Sequence, residues 1–180
     1  PFIKLRGLDP APGPEMKSTG EVMGSHKNAA AAYLKARMAT EIPVPTHGGV
    51  YITVKDSDKE SIISLAKSLK DMEFDLYATR GTAAVLRERG GLEVNSAYRI
   101  AEQGSPDALD LMRDGKIQLI INTPTNSGGA VLDGNMMRRL AVELNIPFVT
   151  TMSGATMEVQ AVAEMIKGLP EPRSLTIGTV

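Results

Sequence analysis

The sequence predicts an α/β protein in three layers, with a five-stranded parallel sheet held between helices. From Gly49 onward, short apolar runs alternate with amphipathic segments in five successive strand–helix pairs. The apolar runs lack clean polar alternation, as strands do when both faces are covered. Hydrophobic residues make up 42% of the chain and charged residues 23%, a balance that fills a packed core beneath an ordinary polar surface.

Each element follows from its local pattern. Residues 49–54 form an apolar strand. Residues 56–72 read as a helix capped by Ser57 or Asp58, with Ile62, Leu65, Ala66 and Leu69 along one face. A strand at 74–78 leads into a short helix at 81–90, closed by Gly90 or Gly91. Residues 93–100 read as a strand and 105–115 as a turn or two of helix. The most apolar strand is 117–122. A helix over 133–145, a short strand at 147–150 and a helix over 153–168 complete the pattern.

Upstream of the sheet, the first 24 residues are rich in Gly, Pro and charge and read as an irregular arm. Strong helix formers then predict a short helix over about 25–39. Residues 41–49, with two prolines and a closing Gly-Gly, read as a linker. The expected organisation is an arm, helix and linker over 1–48, a compact domain over 49–168 and a tail over 169–180. The chain opens on Pro1 rather than Met, as a piece of a longer protein would.

Composition narrows the function classes. With 20 basic and 21 acidic side chains, the net charge of -1 offers no broad cationic field for a nucleic acid. The chain has no cysteine, hence no disulfide or thiolate metal site, and its two histidines, His26 and His47, are not spaced as a metal motif. No run of about 18 apolar residues marks a membrane span. No signal-peptide pattern is present, so a cytoplasmic location without a membrane partner is expected. The stretch around Lys17, Ser18 and Thr19 has the wrong glycine spacing for a Walker A loop or a dinucleotide fingerprint. No nucleophile elbow stands near Ser153. Both histidines precede the compact domain, which leaves no credible Ser-His-Asp set.

In parallel sheets, ligands bind beyond the carboxyl ends of the strands. After the first strand, Lys59 sits in the first helical turn, though most lysines are simply solvated. After the second come Thr79, Arg80, Gly81 and Thr82, a hydroxyl-rich turn into a helix whose N-terminus favours an anion. Either threonine would equally serve as a cap. Arg99 follows the third strand. Asn122 and Thr123 follow the fourth, then Pro124 as a rigid corner and the polar run 125–129. Asp133 stands before a helix, where capping is its plain role. Taken together, these loops bring two cations and several hydroxyl and amide groups to one rim, the composition of a phosphate site.

At these residues the sequence resembles a known family. The stretch 13–24 resembles the closing segment of the second ATP-grasp unit of carbamoyl-phosphate synthase large subunits. Residues 75–83 and 120–124 resemble the methylglyoxal-synthase-like domain that follows it there, in the same order. The resemblance implies a sheet order of 3-2-1-4-5 and an allosteric role, with UMP or IMP as nucleotide effector. It implies that Lys59, Thr79, Thr82, Arg99, Asn122 and Thr123 hold the phosphate and that Asp133 lies near the ribose and base. The family often has Lys where Arg99 stands, and a guanidinium can still hold a phosphate bidentately. Phe148 stands where some members use a Tyr for ornithine, with Thr150 nearby, so ornithine activation is not expected.

The resemblance further implies a parent ligase that makes carbamoyl phosphate from bicarbonate, glutamine-derived ammonia and ATP, for pyrimidine and arginine synthesis. That parent would use ATP and magnesium, with a glutaminase small subunit and the rest of the large subunit as partners. The fragment itself would hold no cofactor, no metal and no catalytic residue. Two alternatives stand beside this reading. One is a true methylglyoxal synthase. Those enzymes place an aspartate in a Gly-Gly-Asp loop, and here Ala130 follows Gly128 and Gly129 while Asp133 is displaced. The other is a docking module that has lost its effector.

Overall fold

The computed structural model describes residues 22–40, 42–124 and 129–172. The arm lies outside the described residues except for 22–24, as do the loop 125–128 and the tail beyond 172. Five parallel strands form one sheet in the order β3-β2-β1-β4-β5. They are β1 (Gly49–Thr53), β2 (Asp75–Thr79), β3 (Asn95–Ala97), β4 (Leu119–Asn122) and β5 (Phe148–Val149). Among the described residues six α-helices accompany them: α1 (Ala29–Met38), α2 (Lys59–Asp71), α3 (Arg80–Glu88), α4 (Ala108–Arg113), α5 (Gly129–Glu143) and α6 (Met152–Lys167).

Alternation along the central strands divides the core in two. Val50 and Ile52 of β1, Leu76 and Ala78 of β2, and Leu119 and Ile121 of β4 meet Ile62, Ala66 and Leu69 of α2, with α3 and α6 beside them. Tyr51 and Ile120 point the other way, toward Leu109 and Met112 of α4 and Met137 and Ala141 of α5. Both faces are therefore apolar, which is why the strands read as continuous hydrophobic runs.

Several boundaries differ from the sequence expectation, each for a local reason. Helix α1 begins at Ala29 rather than near Ser25, because the Asn28 side chain accepts a hydrogen bond from the Ala30 N–H and caps it there. Asp56–Asp58 form a 3-10 turn, and the α-helix proper starts at Lys59. The third strand is only three residues long, since Arg99 already leads into a second 3-10 turn over Ile100–Glu102. Helix α5 begins at Gly129, four residues before Asp133, so Asp133 lies within its first turns rather than ahead of it.

Helix α1 packs on α6. Its small Ala30 and Ala31 and its Leu34 are buried there. The contact is locked by Glu158, whose carboxylate is 1% exposed and accepts from Arg37 Nε at 2.9 Å, Arg37 Nη2 at 3.0 Å and Tyr33 Oη at 3.0 Å. Burial in the first place, then the Glu158 charge, pushes the Tyr33 phenol up to about 12. No described helix is long and apolar enough to cross a membrane.

Candidate functional site

Strand order reverses between β1 and β4, and a cleft opens beyond their carboxyl ends, where doubly wound sheets bind ligands. Its wall comprises Tyr51 and Thr53 of β1, Thr79 closing β2, and Arg99 and Ile100 after β3. Asn122, Thr123 and Pro124 come from the end of β4, and Asp133 and Met137 from α5. The free space is about 50 Å³. With roughly 10–15 Å³ needed for one water, that is room for a group the size of a phosphoryl.

Five of the residues singled out for phosphate or ribose thus meet at one cleft: Thr79, Arg99, Asn122, Thr123 and Asp133. The other two stand beside it. Lys59 opens α2, yet its ammonium reaches over the start of α3, where a Cβ built on Gly81 would lie 3.4 Å from Nζ. There it pairs with Asp56 at 2.7 Å, and Asp56 is almost fully exposed. Such a surface pair is weak and readily exchanged for a better anion. The Asp56 carboxyl is held below its usual range by the hydrogen bond and charge of Lys59. Thr82 is buried behind Thr79, and Thr79 Oγ1 donates to Thr82 Oγ1 at 3.4 Å.

Capping does not account for these threonines. Thr79 occupies the N-cap position of α3, but its side chain makes no capping bond. The first turn of α3 keeps its dipole free of any acidic residue or side-chain cap. Thr123 has a structural role. Its Oγ1 accepts from the Lys55 N–H at 3.0 Å, while its own N–H donates to Thr53 O at 3.1 Å. Those bonds tie β1 to β4 at the mouth of the cleft. The Arg99 guanidinium makes no ion pair or hydrogen bond with any described residue; the Arg99 backbone is engaged, its N–H donating to Glu102 Oε2 at 3.1 Å and its carbonyl accepting from the Glu102 N–H at 2.9 Å. Glu102 in turn accepts from Arg80 Nη2 at 2.7 Å, and Arg80 lies 5.4 Å over the Tyr98 ring. The loop that carries Arg99 is thereby pinned to the start of α3. Hydrogen bonding to Arg80 and to the Arg99 backbone holds the Glu102 carboxyl below its usual range.

Phe148 and Thr150 are not part of this cleft. Phe148 is half-buried against the cluster around Tyr51 and Ile146 on the α4–α5 face. Three contributors escaped the sequence reading. Tyr51 looked like one more apolar strand residue, but it points to the cleft side of β1. Burial, reinforced by Asp133 and Asp107, raises its phenol well above the ordinary tyrosine range. Thr53 sits at the strand end and could have been found from that position. Arg138 lies behind the wall, buried on α5, where it donates to Asn122 Oδ1 at 3.2 Å and to Asn135 Oδ1. No local signal marks it. The polar loop 125–128, expected at this rim, lies outside the described residues.

A 3-2-1-4-5 parallel sheet covered by helices on both faces, with a polar cleft at its switch point, defines a doubly wound α/β domain. The chain belongs to the MGS-like domain family, whose profile matches residues 61–150. It is 46% identical over 166 residues to the C-terminal section of the carbamoyl phosphate synthase large chain of Methanopyrus kandleri, covering 92% of this chain. It is likewise 46% identical to the corresponding section from Methanocaldococcus jannaschii, over 93% of this chain. The chain spans 30% and 27% of the length of those two relatives. Methylglyoxal synthase from Elizabethkingia anophelis superposes with a TM-score of 0.52 at 16% identity, covering 75% of this chain and 97% of that one, a likeness of fold.

Proposed function

We propose that this chain is the allosteric domain of a carbamoyl phosphate synthase large chain and that its cleft receives a nucleoside monophosphate, UMP or IMP, as effector. The observation that supports this reading is the set of donors with no structural duty at one rim. The Thr79 hydroxyl does not cap, and among the described residues the Arg99 guanidinium is unengaged and the Lys59 ammonium is held only by an exposed carboxylate. All stand around the uncapped N-terminus of α3, whose dipole favours an anion. Asp133 and Tyr51 offer polar groups for a ribose or base beyond the phosphate.

In the parent ligase, ATP and magnesium belong to the synthetase units and ammonia comes from a glutaminase partner. Regulation then rests on a difference in effector affinity between active and inactive states of that larger protein. Among the described residues the cleft is lined by one carboxylate, Asp133, where an elimination from a triose phosphate would need a positioned acid and base. We accordingly assign the chain no catalysis of its own. Calorimetric titration with UMP, IMP and inorganic phosphate tests the assignment. Thr79→Ala is expected to cost roughly 1–3 kcal/mol of UMP binding, the scale of a charge-assisted hydrogen bond. Equal affinity in wild type and variant removes Thr79 from the site, and methylglyoxal release from dihydroxyacetone phosphate would overturn the non-catalytic reading.

A further inference from the structure

Arg138 is 5% exposed, sits on α5 next to the cleft-lining Met137, and is not itself among the residues that line the cleft. Its Nη1 donates to Asn122 Oδ1 at 3.2 Å. A guanidinium has only donors, so the atom of the Asn122 amide that faces it must be the oxygen. The NH2 group is then turned away from α5. Asn122 Nδ2 makes no hydrogen bond to any described residue, yet no buried side-chain nitrogen or oxygen among them lacks a partner. Nδ2 is therefore open to the cleft that Asn122 lines.

Helix α5 is shaped to allow this approach. A Cβ on Gly134 would lie 2.9 Å from Arg138 Nη1 and 3.4 Å from Asn122 Oδ1. Glycine inside a helix costs about 0.5–1 kcal/mol relative to alanine, and here it clears the space through which the guanidinium reaches β4.

We propose that Arg138 is a positioning residue for the effector site: it locks the Asn122 amide with its two N–H donors toward the cleft, so that the floor of the site offers donors and accepts an anionic oxygen. The proposal rests on the nucleotide-effector reading for the identity of the ligand, but not for the orientation of the amide. A neutral side chain would leave Asn122 free to turn its carbonyl into the cleft, where it repels phosphate. Arg138 thus sets the sign of the site without touching the ligand.

Two measurements on the chain decide this. The first is the Asn122 side-chain NH2 resonance in the ligand-free protein, read with its through-space contacts. In wild type these contacts are expected to cleft residues such as Thr79, and in Arg138→Met and Gly134→Ala the resonance moves. The second is titration with UMP and with inorganic phosphate. Arg138→Met is expected to weaken both about tenfold, the scale of one hydrogen bond to a charged group, and Gly134→Ala, which keeps the charge but crowds the guanidinium, to act in the same direction. In an Asn122→Ala background the Arg138→Met effect shrinks to less than twofold. A merely structural arginine would lower affinity equally in both backgrounds, and that result overturns the proposal. So does an Asn122 resonance indifferent to both substitutions. Should wild type bind neither ligand while the resonance still responds to Arg138→Met, the nucleotide reading falls and the orientation of Asn122 by Arg138 stands.

Discussion

Glu158 and Thr79 are both polar groups buried in the same domain, and the protein treats them in opposite ways. Glu158, between α1 and α6, accepts three hydrogen bonds from Arg37 and Tyr33. Thr79, at the cleft, has one long contact to another hydroxyl. Around Glu158 a buried charge is saturated by partners within the chain. Around Thr79 the donors outnumber their acceptors, and the cations nearby are either unengaged among the described residues or held by an exposed carboxylate. A saturated network fixes two helices together. An unsaturated one at a sheet's switch point is the feature on which the proposed effector site rests.

The contrast breaks most visibly at Glu158. Removing one partner of a buried ion pair leaves the other uncompensated, so Glu158→Ala is expected to cost about 3–5 kcal/mol of stability in urea denaturation. Its UMP affinity, measured where the variant is folded, should stay within a factor of two. A large loss of affinity with little loss of stability would erase the distinction between the two regions.

Lys59→Ala is the mirror image. Its partner Asp56 is almost fully exposed, so stability should change little. UMP binding should weaken by roughly 1–3 kcal/mol, and unchanged affinity would take Lys59 out of the site.

Tyr33 sharpens the comparison through pH. Its phenol is raised in the folded state from 10.0 to about 12. A raised folded value means the protonated form is favoured in the fold, so this contribution is complete below pH 10 and is lost as pH climbs toward 12. Wild type should lose stability over that window, and Tyr33→Phe should lack that component of the loss. The smallest effect is expected at Phe148. It has no hydroxyl and packs into the α4–α5 core, so ornithine should give no heat on titration; a clear binding isotherm would show a second effector site there.

Much of the fold was legible without coordinates because its signals are local. Apolar runs over 49–54, 74–78 and 117–122 announce strands covered on both sides, and the spacing of Ile62, Ala66 and Leu69 announces the helix face that covers one of them. That Thr79, Arg99, Asn122, Thr123 and Asp133 meet at one cleft was readable because a parallel sheet sends all its strand ends to one edge. Strand lengths were less legible. The run 93–100 has strand-like residues, but pairing with β2 ends at Ala97.

The residues alone are therefore enough for the layered α/β fold and for the edge of the sheet at which the polar strand-end groups collect. Both follow from periodicity and from the shared direction of the strands. Which polar groups are consumed as partners, and which keep none among the described residues, is decided only once helices and sheet are assembled. Arg37 meets Glu158 across 121 positions, Arg138 meets Asn122 across 16, and Tyr51 turns toward the cleft while its neighbours Val50 and Ile52 face α2. A hydrogen bond depends on two side chains arriving within about 3 Å of each other. That distance is set by how helices seat on a sheet, not by any pattern that a single segment carries.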